Sequence, residues 1–108
     1  MNPRTRLHAT LLSVCTAAAS LAQAQDASSS LAVRSLASSC AQCHGTDGRP
    51  VADSIVPALA GLPGPVLIER MAAFKAGTRP ATVMAQIARG YSEAQIRELA
   101  AYFALQSR

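Results

Sequence analysis

Cys40, Ala41, Gln42, Cys43 and His44 are the residues whose types and spacing point to chemistry. Two thiols three positions apart lie on one side of a helical turn, and an imidazole follows at once. Each thiol of such a pair can add to one vinyl group of a haem, and the imidazole then meets the iron from the same side. Attachment fixes the porphyrin and its first axial ligand together. Three other readings compete. A structural zinc site takes four ligands, usually from two such knuckles; this chain has one knuckle, and its only other histidine is His8. A thioredoxin-like redox pair belongs in a βαβ setting, and no useful stretch here alternates as a strand does. Zinc, or a plain Cys40–Cys43 disulfide, would make the chain a stabilised secreted binding module, and the disulfide would leave His44 unexplained. One covalently held haem c uses all three side chains.

His44 leaves a second axial position, and beyond it the chain offers only two soft donors, Met71 and Met84. Met71 lines up with Leu67 and Phe74 on an expected helix, where a methionine usually fills core space. Met84 follows the helix-breaking Pro80 and precedes Gly90, in a segment free to cross to the opposite face, so Met84 is the expected second ligand. A thioether favours ferrous iron more than a second imidazole does. With both axial sites taken by protein, one-electron transfer is the remaining chemistry. A ligating imidazole normally donates its other N–H to an acceptor, and the Pro57 carbonyl is a candidate. Arg79, Arg89 and Tyr91 flank the Met84 segment and are candidates for the haem propionates.

The elements that must position these groups read as helices. Leu31–Cys40 suits a short helix capped by Ser28, Ser29 or Ser30. Gly45–Gly64 is punctuated by glycine and proline and reads as a long loop. Pro65 begins a helix carrying Leu67, Ile68, Met71, Ala72 and Phe74, which Gly77 stops. Thr82–Arg89 is a short segment ending at Gly90. Ser92 and Gln95 form a capping box before the stripe Ile96, Leu99, Ala100 and Phe103. The fold class is all-α, with three to four short helices and rich loops.

The chain has 108 residues, 50% of them hydrophobic and 4% aromatic, with a formal charge of +4. That length allows one small domain. Neither the basic stripe nor the interleaved aromatics of a nucleic-acid binder are present. Arg4, Arg6 and His8 precede an apolar run that ends at Ala22-Gln23-Ala24, so residues 1–24 read as a cleaved signal peptide and 25–108 as the mature domain. The run is too short and interrupted for a membrane span, and export implies the periplasm. Cys15 falls in the leader, with a bulky Val14 where a lipoprotein cysteine wants a small neighbour. Loss of Arg4 and Arg6 lowers the formal charge from +4 to +2. A mature chain of about 84 residues is near the size where a protein core alone is marginal; a large apolar ring at its centre answers that shortage.

Cys40-Ala41-Gln42-Cys43-His44-Gly45-Thr46-Asp47-Gly48, with Pro57-Ala58-Leu59-Ala60-Gly61-Leu62, resembles the front half of a class I c-type cytochrome. The runs Met71–Gly77 and Thr82–Ser92 are similar to the cytochrome subunit of flavocytochrome c sulfide dehydrogenase. The resemblance implies the class I cytochrome c fold, haem bound through Cys40 and Cys43, iron held by His44 and Met84, and His44 oriented by the Pro57 carbonyl. It also implies a partner, an FAD-containing subunit that oxidises sulfide and passes electrons one at a time; a diffusible cytochrome serving an oxidase or another dehydrogenase is the alternative. The chain departs from that family in two ways. Many such subunits carry two haem domains, whereas one motif is present here. The aromatic usual in the first helix is also replaced by small residues such as Ser38 and Ser39, which implies looser packing between the first and last helices.

Overall fold

A computed structural model describes residues 30–108. The leader of residues 1–24, Cys15 and the three cap candidates Ser28, Ser29 and Ser30 lie at or beyond the edge of that range, and the account below concerns the unit Val33–Arg108. Helix α1 covers residues 30–44. A short 3₁₀ turn follows at Thr46–Gly48, then α2 over Gly64–Ala76, α3 over Met84–Arg89 and α4 over Glu93–Ala104. Among the described residues there is no strand. The all-α expectation holds.

The last helix is the best specified. Ser92 Oγ accepts from the Gln95 N–H at 3.2 Å, and Gln95 Oε1 accepts from the Ser92 N–H at 2.8 Å. These reciprocal bonds satisfy two of the donors that a helix start leaves open. Behind that cap, Ile96, Leu99, Ala100 and Phe103 are all buried. Phe103, Ile96 and Leu99 are the largest side chains to be fully enclosed, each contributing about 1.5–3 kcal/mol of burial. Helix α2 begins with Pro65 in its first turn and ends at Gly77, whose φ of 73° is left-handed. It packs against both α3 and α4, with Leu67 and Met71 buried.

One boundary differs from the sequence expectation. Helix α1 does not stop at Cys40 but runs on through Cys43 and His44. Ser38 and Ser39, poor helix formers, remain helical by bonding back to the Ser35 and Leu36 carbonyls at 2.7 and 2.9 Å. The helix ends where Gly45 turns to φ 79°. Ala37 of α1 is buried in the same cluster as Leu99, Ala100 and Phe103, with Leu36 and Cys40 packed at its margin. A small side chain thus stands at the core position of the first helix.

Candidate functional site

Carrying α1 through residue 44 puts the whole motif on one continuous helix. Cys40 and Cys43 are three residues apart on it, both as free thiols, Cys40 half-buried and Cys43 exposed. Burial pushes the Cys40 thiol above its ordinary range, with the neighbouring Ser39 side chain working the other way. His44 occupies the last helical residue. Its Nδ1 lies 2.7 Å from the Pro57 carbonyl oxygen. A carbonyl can only accept, so Nδ1 carries the proton and Nε2 keeps its lone pair.

The loop that delivers Pro57 is braced at both ends. The Gly48 carbonyl accepts from the Leu59 and Ala60 N–H groups at 2.9 and 3.1 Å, and the Gly61 N–H donates to Phe103 O at 2.9 Å. Gly45 lets the chain leave α1 sharply: a Cβ there would sit 1.9 Å from the Arg49 carbonyl oxygen. Gly48 is also hemmed in: a Cβ there would sit 2.7 Å from Ala60 N and 3.0 Å from Phe103 Cδ1. Two side chains add to the brace. Tyr102 donates to Asp47 at 2.5 Å, and Arg49 reaches Ser107 O at 2.8 Å.

The second side of the site is built differently. Met71 is buried in the core and is 7% exposed, as a packing residue is. Met84, at the start of α3, is half-buried at the edge of that core. The remaining candidates have partners of their own. Arg79 stacks on the Phe74 ring at 5.4 Å, Arg89 reaches Gln86 Oε1 at 3.4 Å, and the Tyr91 hydroxyl lies 2.6 Å from Ser39 Oγ. The structure therefore brings Cys40, Cys43, His44 and Pro57 together, while Arg79 and Arg89 engage neighbours elsewhere and Tyr91 reaches the motif helix at Ser39. Ser39 and Lys75, whose Nζ donates to Tyr91 O at 2.8 Å, are contacts that sequence reasoning passed over. Lys75 is the one lysine of the chain, a small signal that could have drawn attention to it.

The donor set fits a haem. Two free thiols on one helical turn suit the two thioether links, and an imidazole with its Nδ1 proton engaged is ready to ligate through Nε2. Among the described residues no group of three or more His, Cys, Asp or Glu side chains gathers as a metal site, so a tetrahedral zinc site lacks its ligands there.

Comparison with known proteins agrees. The family model for cytochrome c matches residues 32–105. The chain is 40% identical over 68 residues to the cytochrome subunit of sulfide dehydrogenase of Chlorobaculum tepidum, covering 63% of this chain and 60% of that one. It is 39% identical over 67 residues to the thiosulfate dehydrogenase electron acceptor of Thiomonas intermedia, covering 62% and 31%. To cytochrome c-554(548) of Halomonas halodenitrificans it is 37% identical over 70 residues, covering 62% and 83%. The first two relatives are longer proteins, of which this chain spans less than two thirds. The helical fold, the Cys-x-x-Cys-His helix and the match along residues 32–105 together make this chain a member of the cytochrome c family, with one covalently attached haem c.

Proposed function

We propose that the chain is an exported, periplasmic monohaem cytochrome, residues 25–108 after loss of a leader at 1–24. In this reading His44 and Met84 ligate the iron, and electrons arrive singly from an FAD-containing sulfide dehydrogenase subunit. The observation that carries it is the 2.7 Å contact of His44 Nδ1 with Pro57 O on the motif helix. A bound haem supplies reversible one-electron chemistry at an iron with no open site. The chain's part is to hold that centre still. Cys40 and Cys43 anchor the ring, His44 is fixed in tautomer and direction by Pro57, and Met84 offers a thioether from another segment. Met84 at the edge of the core, against Met71 packed within it, supports Met84 as the ligand. The exposed guanidinium groups of Arg79 and Arg89 are assigned to the propionates.

The name of the Chlorobaculum relative supports the sulfide dehydrogenase partner. A freely diffusing carrier is the second reading, favoured by the 83% of cytochrome c-554(548) that the chain spans. No helix among the described residues is long and apolar enough to cross a membrane, which suits either.

Ligation is tested by the near-infrared sulfur-to-iron charge-transfer band of the oxidised protein. Met84→Ala abolishes it and Met71→Ala keeps it; the reverse pattern would overturn the assignment. For the partner, sulfide added to the cytochrome mixed with an FAD-containing sulfide dehydrogenase subunit sharpens the alpha band of the reduced form. A mixture that stays oxidised under sulfide yet responds to dithionite points to the diffusing carrier.

A further inference from the structure

The segment between α2 and α4, residues 77–92, carries Met84 and is fastened at its two ends. At its beginning, the Gly77 N–H donates to Phe74 O at 3.2 Å, and those of Thr78 and Arg79 donate to Ala73 O at 3.0 and 3.3 Å. Arg79 sits over the Phe74 ring. All of these contacts tie the segment to α2. At its far end Lys75, again from α2, donates from Nζ to Tyr91 O at 2.8 Å and to Glu93 Oε1 at 3.0 Å. Among the described residues, one hydrogen bond joins the segment to α1, the helix that bears the thiols and His44. It is the 2.6 Å contact between the Tyr91 hydroxyl and Ser39 Oγ.

The direction of that bond follows from proton counting. Ser39 has one hydroxyl hydrogen, and it goes to Leu36 O at 2.9 Å. Ser39 Oγ then has only lone pairs to offer, so Tyr91 donates. Ser39 is the residue before Cys40, and Tyr91 comes two residues after the end of α3, the helix that Met84 opens. The bond therefore connects the frame of one proposed axial ligand to the frame of the other. The Tyr91 ring packs against the core, so its hydroxyl is aimed by a fixed lever and not by a mobile side chain. The same hydroxyl has no second proton for a propionate.

Resting on the His44/Met84 reading, we propose that Tyr91 is a positioning residue, a latch on Ser39 that keeps the Met84 segment closed over the iron and slows replacement of Met84 by an outside ligand. Opening the segment by a fraction of its width requires this bond to break, since among the described residues it is the one hydrogen bond between the segment and α1. One hydrogen bond of this kind alters an opening equilibrium by roughly three- to tenfold.

The test uses the haem-loaded, oxidised full chain and imidazole as the incoming ligand, followed at the near-infrared band and the Soret band. Tyr91→Phe keeps the ring and removes only the hydroxyl; Ser39→Ala removes the acceptor together with the backward bond to Leu36 O, a loss that the control below matches. Each single variant takes up imidazole roughly three- to tenfold faster than the parent, and the double variant is no faster than either single one. Ser38→Ala is the control: Ser38 makes the same backward bond, to Ser35 O at 2.7 Å, but meets no tyrosine, and its uptake rate equals the parent's. Unchanged rates in Tyr91→Phe and Ser39→Ala, or effects that multiply in the double variant, overturn the latch while the ligation stands. A parent protein with no sulfur-to-iron band overturns the ligation and the latch together.

Discussion

The two sides of this site are held by different means. Residues 40–61, which present His44, are stitched by main-chain bonds: Gly48 O to Leu59 and Ala60, Gly61 to Phe103. Its turns are so close that glycine is required. Residues 77–92, which present Met84, are bonded to α2 at both ends, and their middle, around Pro80 and Val83, is exposed. Backbone bracing gives a position that side-chain changes barely move. End-fastening gives a segment whose position depends on a few side chains. On the proposed His44/Met84 ligation, such a cytochrome has one rigid axial ligand and one that can be tuned.

Two glycines of nearly equal φ measure that contrast. Gly45, at 79°, has no room for a Cβ, with Arg49 O only 1.9 Å from it; Gly77, at 73°, has nothing within 4 Å. Gly77→Ala meets only the left-handed strain of an L-residue, about 1 kcal/mol. Gly45→Ala adds a displacement of the braced loop, and about 3 kcal/mol or more is expected. Guanidinium unfolding of the two haem-loaded variants gives both values. Similar losses would mean the His44 side is no more rigid than the other.

The methionines give the next largest effect. Met71→Ala empties a buried core position between α2 and its neighbours and lowers stability by about 2–3 kcal/mol. Met84→Ala, at a half-buried edge, loses about 1 kcal/mol of packing, together with the sulfur-to-iron band. Unfolding in saturating imidazole, which fills the sixth position of both variants alike, compares the packing losses directly. Equal losses there would place both side chains in one kind of environment.

Elements closed by local chemistry were readable in the sequence. Ser92 with Gln95, Pro65 before an apolar stripe, and Gly77 after it act within four residues of themselves, so spacing alone suffices. The all-α class followed from the same periodicities. The end of α1 was less legible, because Ser38 and Ser39 look like helix breakers until their bonds to Ser35 and Leu36 carbonyls are seen. That a ligating His44 needs an acceptor follows from imidazole chemistry, yet the 2.7 Å approach of Pro57 depends on how Gly48 and Gly61 fold the loop. Least legible were the pairs Ser39–Tyr91 and Asp47–Tyr102, separated by 52 and 55 residues. A polar side chain carries no mark of its distant partner. For the same reason Tyr91 looked like a propionate donor when only its neighbours in sequence were known.

The smallest effect belongs to Tyr102, which pins the braced side from α4. Its hydroxyl donates to Asp47 Oδ1, while Arg49 pairs with Oδ2 at 3.1 Å. The bond to Asp47 raises the phenol above its ordinary value of 10.0, burial and the carboxylate charge add to this, and Arg34 and Arg49 oppose it. A raised value means that the folded chain keeps a proton which the unfolded chain releases first. The stabilisation is therefore whole below pH about 10 and is lost as pH climbs through the folded value. Tyr102→Phe keeps the edge-on ring contact with Phe103, 5.2 Å between centroids in the parent, and removes only the hydroxyl. Its deficit at neutral pH is about 1 kcal/mol or less, the worth of one half-exposed hydrogen bond. Urea midpoints measured from pH 7 to beyond pH 11 are expected to show parent and variant converging at the alkaline end. A constant gap across that range would mean that the Tyr102 proton plays no part in holding the Asp47 turn, and that backbone bonds alone brace the His44 side.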